Sequence, residues 1–256
     1  MLQNSVKRKL KEGKAVVGTL LNLGDPIAAE AIAAVGFDWL VVDTEHGPID
    51  LHAMATMFQA IGRFPVAPMA RIPWNNEDNI KRVLDAGAWG IVAPNVRSRE
   101  EAELVVQAAK YPPKGIRSLG GGRHALSFKT DPATYFQKAN DETVVVLQIE
   151  HIDTVRKIDD ILSVSDVDAF LIGPNDLCAS MGLAPSLEPP HKEFEEAAQA
   201  ILRSGQRHGV AAGIHCATAE TVNRRIREGW RFVGILGDLR FMTAAAKAAR
   251  DAIKVE

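Results

Sequence analysis

Several short apolar runs in this chain end on, or just before, a residue able to do chemistry. Val144-Val-Val-Leu-Gln-Ile-Glu150 carries Gln148 and Glu150 two apart, so in a strand they share one face. Trp39–Val42 runs into Asp43-Thr-Glu-His46, Val66 to Ala70 into Arg71, and Phe170-Leu-Ile-Gly-Pro-Asn into Asp176. Two carboxylates such as Glu150 and Asp176 can give a hard divalent ion two oxygens and leave the rest of an octahedral shell to water and substrate. The planar fork of Arg71 suits a carboxylate or a developing enolate oxygen. His46 can accept and return a proton near neutrality, with Asp43 or Asp85 as the acidic neighbour that fixes its tautomer. Each residue also has a plainer account. Asp176 would cap the turn after Pro174-Asn175, Arg71 would pair with Asp43 or Glu150, and His46 would be a hydrogen-bonded loop residue. Their convergence favours the chemical account. His215, at the end of another apolar run, faces the same region and could touch substrate or a neighbouring subunit.

The elements that would position these groups repeat. Strands are predicted over Ala15–Leu21, Trp39–Asp43, Val66–Arg71, Gly90–Asn95, Val144–Glu150, Ala169–Gly173, Ala211–His215 and Phe232–Leu236. Helices are predicted to begin near Asp25, Ile49, Asn76, Ser98, His151, His191, Ala217 and Leu239, several after a capping Ser, Asn or Asp. Eight βα units imply parallel strands with right-handed crossovers, closing into a single-domain (β/α)8 TIM barrel over residues 1–256, with chemistry at the C-terminal ends of the strands. An open doubly wound sheet is the runner-up, but Leu21-Asn-Leu-Gly-Asp25 has one glycine where a dinucleotide turn needs three, and no Walker sequence occurs. No organic cofactor is therefore expected. Tyr111 to Asp141, with Pro112-Pro113 and Gly120-Gly-Gly122, is predicted to be a long irregular segment; Arg117, Arg123 and His124 within it either cover a carboxylate ligand or lie on a surface loop.

At 256 residues and 46 % hydrophobic the chain can bury a substantial core. A net charge of −2 and a pI near 6.4 give no general attraction to nucleic acid or anionic lipid, so an anionic ligand needs a local site. Met1 to Lys14 lacks the apolar core of a signal peptide, and no apolar run approaches the roughly 20 residues that span a bilayer. Two cysteines, Cys178 and Cys216, have neither metal-ligand nor disulfide spacing, which fits a cytoplasmic protein. No lysine lies in any predicted strand, which disfavours Schiff-base chemistry and leaves a metal to polarise a carbonyl.

Taken together, Gly36-Phe-Asp-Trp39, Asp43-Thr-Glu-His46, Ala70-Arg71, Tyr111-Pro-Pro-Lys-Gly-Ile-Arg117, Gln148-Ile-Glu150 and Gly173-Pro-Asn-Asp-Leu177 resemble the metal-dependent (class II) pyruvate aldolases of the HpcH/HpaI group, across essentially the whole chain. The resemblance implies aldol cleavage or condensation of 4-hydroxy-2-oxo acids, giving pyruvate and an aldehyde, in the breakdown of aromatic compounds or sugar acids. It implies that Glu150 and Asp176 bind magnesium, manganese or cobalt, that His46 is the base, and that Arg71 stabilises the enolate. Gln148 and the Gly173-Pro174-Asn175-Asp176 turn would contact the pyruvyl group. Asp85 would raise the basicity of His46, Asp43 would act behind Arg71 and His46, and His215 would reach substrate or a neighbour's site. A homohexamer, a dimer of trimers with exchanged C-terminal helices, is likewise implied. Asn175, Cys178 and Thr44 depart from the residues common in that group and bear on aldehyde choice. An enolate site would also serve oxaloacetate decarboxylation or another 2-oxo-acid lyase reaction; a non-catalytic metal and 2-oxo-acid binding protein is the remaining alternative.

Overall fold

The structure, a computed structural model, describes residues 1–254. Eight parallel strands form a closed barrel in sequence order: β1 (Val16–Leu21), β2 (Trp39–Asp43), β3 (Ala67–Arg71), β4 (Gly90–Ala93), β5 (Val144–Ile149), β6 (Ala169–Ile172), β7 (Gly213–Cys216) and β8 (Phe232–Gly237), with β8 returning to pair with β1. The eight expected strands are all present, shifted at their ends by at most two residues. The strand after Val210 starts at Gly213, so His215 is its third residue rather than its last. Glu150 lies one residue beyond β5 and Gly173 one beyond β6.

The strand period of two divides the apolar residues between two cores. Leu40, Val42, Ala70, Ile91, Val145, Leu147, Phe170 and Ile172 point outward and pack under the crossover helices. Val16, Trp39, Val41, Met69, Val92, Val144, Val146, Leu171 and Phe232 fill the barrel, where Trp39 stacks on Phe232 with centroids 4.4 Å apart. The inward series Trp39–Val41, Ala67–Met69 and Val144–Val146 continue into Asp43, Arg71 and Gln148. Alternation alone therefore delivers those polar side chains to the interior at the C-terminal mouth. Register places Asp43 beside Arg71 and Ile149 beside Ile172, which sets Glu150 next to Gly173.

One expectation needs correcting. Tyr111 to Asp141 contains helices Arg123–Ser127 and Pro132–Glu142. Asp131 caps the second through the backbone N–H of Thr134, and Tyr135 and Ala139 bury against Tyr111 and Phe128. The segment joins the helix Arg99–Ala109 to the start of β5, so it lies under the floor of the barrel rather than over its mouth. Ahead of β1, helix Ser5–Lys11, capped by Asn4, buries Val6 beneath the barrel. After β6 the chain makes a short helix, Pro174–Ser180, before the long crossover helix Lys192–His208. The last helix, Asp238–Ala252, buries only Asp238. No helix among the described residues is long and apolar enough to cross a membrane.

Candidate active site

Asp43 organises one side of the mouth. Its fully buried carboxylate takes two hydrogen bonds from Arg71, Nε at 2.9 Å and a terminal nitrogen at 2.6 Å, and one from Asn22 Nδ2 at 2.7 Å. It also accepts the backbone N–H groups of Glu45 and His46, at 3.2 and 3.3 Å. Burial alone would raise the Asp43 pKa; the hydrogen bonds and charge of Arg71 override it and hold the carboxyl below the usual range. This carboxylate is thus committed to Arg71 and to the loop backbone, and it does not orient the His46 imidazole as expected from sequence. The other terminal nitrogen of Arg71 is left toward the cavity, 3.2 Å from Glu45 Oε2 and 3.5 Å from Gln148 Oε1. His46 stands 66 % exposed at the rim, its Nε2 3.8 Å from Glu45 Oε2.

Glu150 organises the other side. The backbone N–H of Asn95 donates to its Oε1 at 2.7 Å, and the Gln148 amide donates to Oε2. Burial pushes the Glu150 carboxyl up; Gln148 opposes this, and the charge of Asp176 raises it further, so the two carboxylates feel each other. Both line a cavity of about 350 Å³ that also exposes Glu45, His46 and Asn95. Gly173 makes the arrangement possible. A Cβ there would lie 2.8 Å from Glu150 Oε2 and 3.3 Å from Gln148 Nε2, so any larger residue would displace the carboxylate. Pro174 starts the short helix that carries Asn175 and Asp176 in its first turn.

A neighbouring cavity of about 240 Å³ joins the two sides, lined by His46, Arg71, Gln148, the Gly173–Asp176 turn and His215. His215 points inward opposite Gly234, and its Nδ1 has no hydrogen-bond partner among the described residues. Burial, then the charges of Arg71 and Arg240, push its pKa down to about 4, so it is neutral at pH 7. Ten of the eleven residues singled out from sequence therefore border the mouth or brace it: Asp43, His46, Arg71, Gln148, Glu150, Gly173, Pro174, Asn175, Asp176 and His215.

Asp85 is the exception. It ends the helix Glu77–Asp85, ahead of β4, and so lies at the floor, where it binds Arg117 at 2.7 Å and approaches His124 Nδ1 at 3.8 Å. Within this chain it cannot tune His46. Arg117 and His124 are buried there with it, so neither covers a ligand at the mouth. Conversely, sequence does not single out Asn22 or the Asn95 backbone, and it sets Glu45 at the mouth with Asp43 and His46 but gives it no role. Glu45 had a sequence signal, since it lies between Asp43 and His46; Asn22 and Asn95 had none, because they reach the site through loops after β1 and β4. Burial raises the Glu45 carboxyl against the pull of Arg71, Glu150 adds to the rise, and Glu45 Oε2 makes no hydrogen bond.

Among the described residues, no three His, Cys, Asp or Glu side chains converge as a metal cluster. The donor set nevertheless fits a hard cation: two mutually repelling carboxylates, one braced by two hydrogen bonds, with open cavity for water and substrate oxygens to complete the shell.

The family model for HpcH/HpaI aldolase/citrate lyase matches residues 17–243. A 4-hydroxy-2-oxo-heptane-1,7-dioate aldolase of Escherichia coli is 36 % identical over 247 residues, covering 96 % of this chain and 94 % of that protein. Among solved structures, an HpcH/HpaI aldolase/citrate lyase family protein from Burkholderia cenocepacia J2315 matches with a TM-score of 0.91 and 31 % identity, over 97 % of this chain and 98 % of that one. An HpcH/HpaI aldolase from Desulfitobacterium hafniense DCB-2 matches at 0.89 and 32 %, over 98 % and 97 %.

Proposed function

Because the chain belongs to the HpcH/HpaI aldolase/citrate lyase family and is an enzyme, a class II aldolase, we propose that it cleaves and forms 4-hydroxy-2-oxo acids, with pyruvate as one product and an aldehyde as the other. The observation that carries this reading is the guanidinium of Arg71, gripped from behind by Asp43 and turned toward a cavity that it shares with Gln148 and with Asp176, which also borders the adjoining cavity beside Glu150. Glu150 and Asp176 would hold a divalent ion, whether magnesium, manganese or cobalt, and its positive charge would draw electrons from the 2-oxo group.

In the cleavage direction His46 takes the proton from the C4 hydroxyl. The electrons of that O–H bond form the aldehyde carbonyl, the C3–C4 bond breaks, and its pair moves through C2 onto the 2-oxo oxygen. Arg71 receives the negative charge that develops there, and Gln148 orients the pyruvyl end beside it. The proton then returns to C3, giving pyruvate. Since Arg71 is fixed by its bidentate pairing with Asp43 before substrate arrives, little reorganisation accompanies the charge shift. His215, neutral at working pH, borders the aldehyde side as a polar wall.

We further place the enzyme in the cytoplasm, consistent with its two free cysteines, and as a homohexamer in which the helix Asp238–Ala252 docks on a neighbour. Its exposed Leu239 and Met242, with exposed Ile253 just past its end, support that docking. The test of function is a manganese-supplemented assay of deuterium exchange at C3 of pyruvate, together with pyruvate release from a panel of 4-hydroxy-2-oxo acids. Exchange and release are both expected. An enzyme that binds manganese yet does neither refutes the reading.

A further inference from the structure

The loop after β4 is fastened along its length, and one of its residues holds an uncommon backbone conformation. Pro94 has no N–H, so the ladder between β4 and β5, in register at Ala93 and Leu147, cannot continue through it. Asn95 follows at φ 50°, in the left-handed region that residues other than glycine seldom enter. There the chain sends two successive N–H groups to different acceptors. That of Asn95 goes to Glu150 Oε1 at 2.7 Å, and that of Val96 to the Gln148 carbonyl at 3.3 Å. Neighbours pin the loop on both sides: the Asn75 amide donates to the Pro94 carbonyl, and Thr154 Oγ1 donates to the carbonyl of fully buried Val96 at 3.1 Å. Arg97 holds the Asn95 side chain. Its Nε donates to Asn95 Oδ1 at 2.8 Å, while its own backbone N–H donates to Glu101 Oε2 at 2.6 Å.

We propose that Asn95 is a positioning residue for the divalent ion: its left-handed backbone aims its N–H so that Glu150 stays turned into the cavity shared with Asp176 before any ion arrives. This rests on the reading of Glu150 and Asp176 as the ligands of that ion. Two carboxylates lining one cavity repel, and an unheld Glu150 side chain would turn away from Asp176. A backbone donor anchored on both sides cannot swing with it. The Asn95 N–H therefore fixes Oε1, offsets part of the repulsion, and leaves that oxygen a second lone pair for the ion. Asparagine suits the position because its short polar side chain tolerates positive φ and gives Arg97 an acceptor. A β-branched residue does not.

Calorimetric titration of manganese into the full-length, metal-free enzyme, without pyruvate, tests the assignment. Asn95→Val is expected to weaken manganese roughly ten- to a hundredfold, the range for losing a partner behind a metal ligand. Asn95→Gly, which takes positive φ freely and keeps the N–H, is expected to bind nearly as wild type does. Asn95→Ala is expected to fall between them, and it carries the test if the valine variant does not fold. A loop that served only stability would lower the melting temperature of metal-free Asn95→Val and leave the manganese affinity of its folded fraction unchanged; that result overturns the assignment. Equal weakening in Asn95→Gly and Asn95→Val also overturns it, since the effect would then belong to the side chain. Wild-type enzyme that binds no manganese removes the ligand reading and this assignment with it. Wild-type enzyme that binds manganese but exchanges no deuterium into pyruvate sinks the aldolase reading alone.

Discussion

The two ends of the barrel both bury charge, and they treat it in opposite ways. At the floor, Lys7 Nζ donates to the Thr143 carbonyl at 2.7 Å and to Asp168 at 3.1 Å; Lys110 Nζ donates to the carbonyls of Asn140 and Thr143, at 2.8 and 3.0 Å. Asp168 accepts the backbone N–H of Val145 at 2.9 Å, and the Asn4 amide donates to the carbonyls of Trp89 and Glu142. Each charge there is answered inside the fold. At the mouth, Asp43 is answered in the same manner, but Arg71, Glu150 and Asp176 each keep a face toward open cavity, and Glu45 Oε2 meets the cavity-side nitrogen of Arg71 at 3.2 Å. Burial of a charge is therefore no sign of function. What separates Lys7, Lys110 and Asp168 from Arg71, Glu150 and Asp176 is whether the valences of the buried charge are spent within the chain or held for something that enters.

The floor offers the largest effect. Asp168→Ala strips Lys7 of its counter-charge in a buried setting and leaves the Val145 N–H without its acceptor, which should cost about 3–5 kcal/mol. Thermal unfolding should fall by roughly 6–20 °C for a chain of this size. Pyruvate exchange by the folded fraction should keep its kcat and KM. A variant that lost turnover in step with stability would erase the distinction between the ends.

At the mouth the complementary change is Arg71→Lys. It preserves a positive charge beside Asp43, so the barrel should melt near the wild-type temperature. The bidentate fork and the third nitrogen turned to the cavity are both lost, and turnover should drop about 10²- to 10³-fold, as for removal of one preorganised oxyanion donor. Steady-state kinetics read with a melting curve on the same preparation check both halves. A large loss of stability with nearly normal turnover would place Arg71 in the same class as Lys7.

Asp43, Arg71, Gln148 and Glu150 were legible from sequence because a strand alternates faces, and an apolar run that ends in polar residues of the inward parity can deliver them only to the mouth. Parity depends on local order alone. The helices within Tyr111–Asp141 were not legible, since Pro112-Pro113 and Gly120-Gly-Gly122 dominate the local signal while Arg123–Ser127 is only five residues long. That short helix exists through burial of His124 and Ala125 against Tyr135 and Phe128, a tertiary effect. Asp85 was assigned to His46 on its chemistry, although it ends a helix that leads into a strand, the position of a floor residue in any βα barrel. Lys7 and Asn4 gave no pattern because a helix of seven residues is too short to show a period. Asn22 reaches the cavity from the loop after β1, held there by its amide bond to Asp43 and by its backbone N–H to Asp238, 216 residues away in sequence.

The smallest predicted effect concerns protons at the floor. Burial, followed by the charge of Lys7, pushes the Lys110 pKa from 10.5 down to about 7. Between those values the unfolded chain holds one more proton at this residue than the folded chain does. Stability from Lys110 is therefore lost as pH falls toward 7 and gained as pH rises, by up to about 1.4 kcal/mol per pH unit. The nearby tyrosines do not mask this below pH 9, since burial pushes the hydroxyls of Tyr111 and Tyr135 up in the folded chain. Urea unfolding at pH 7, 8 and 9 should show the rise in wild type and a flatter line in Lys110→Met, while the pH dependence of pyruvate exchange stays the same in both. Parallel stability lines would mean that Lys110 keeps its proton in the fold, with the Asn140 and Thr143 carbonyls stabilising the ammonium more than burial penalises it. A matching change in the exchange profile would instead tie the floor to catalysis and remove the contrast between the two ends.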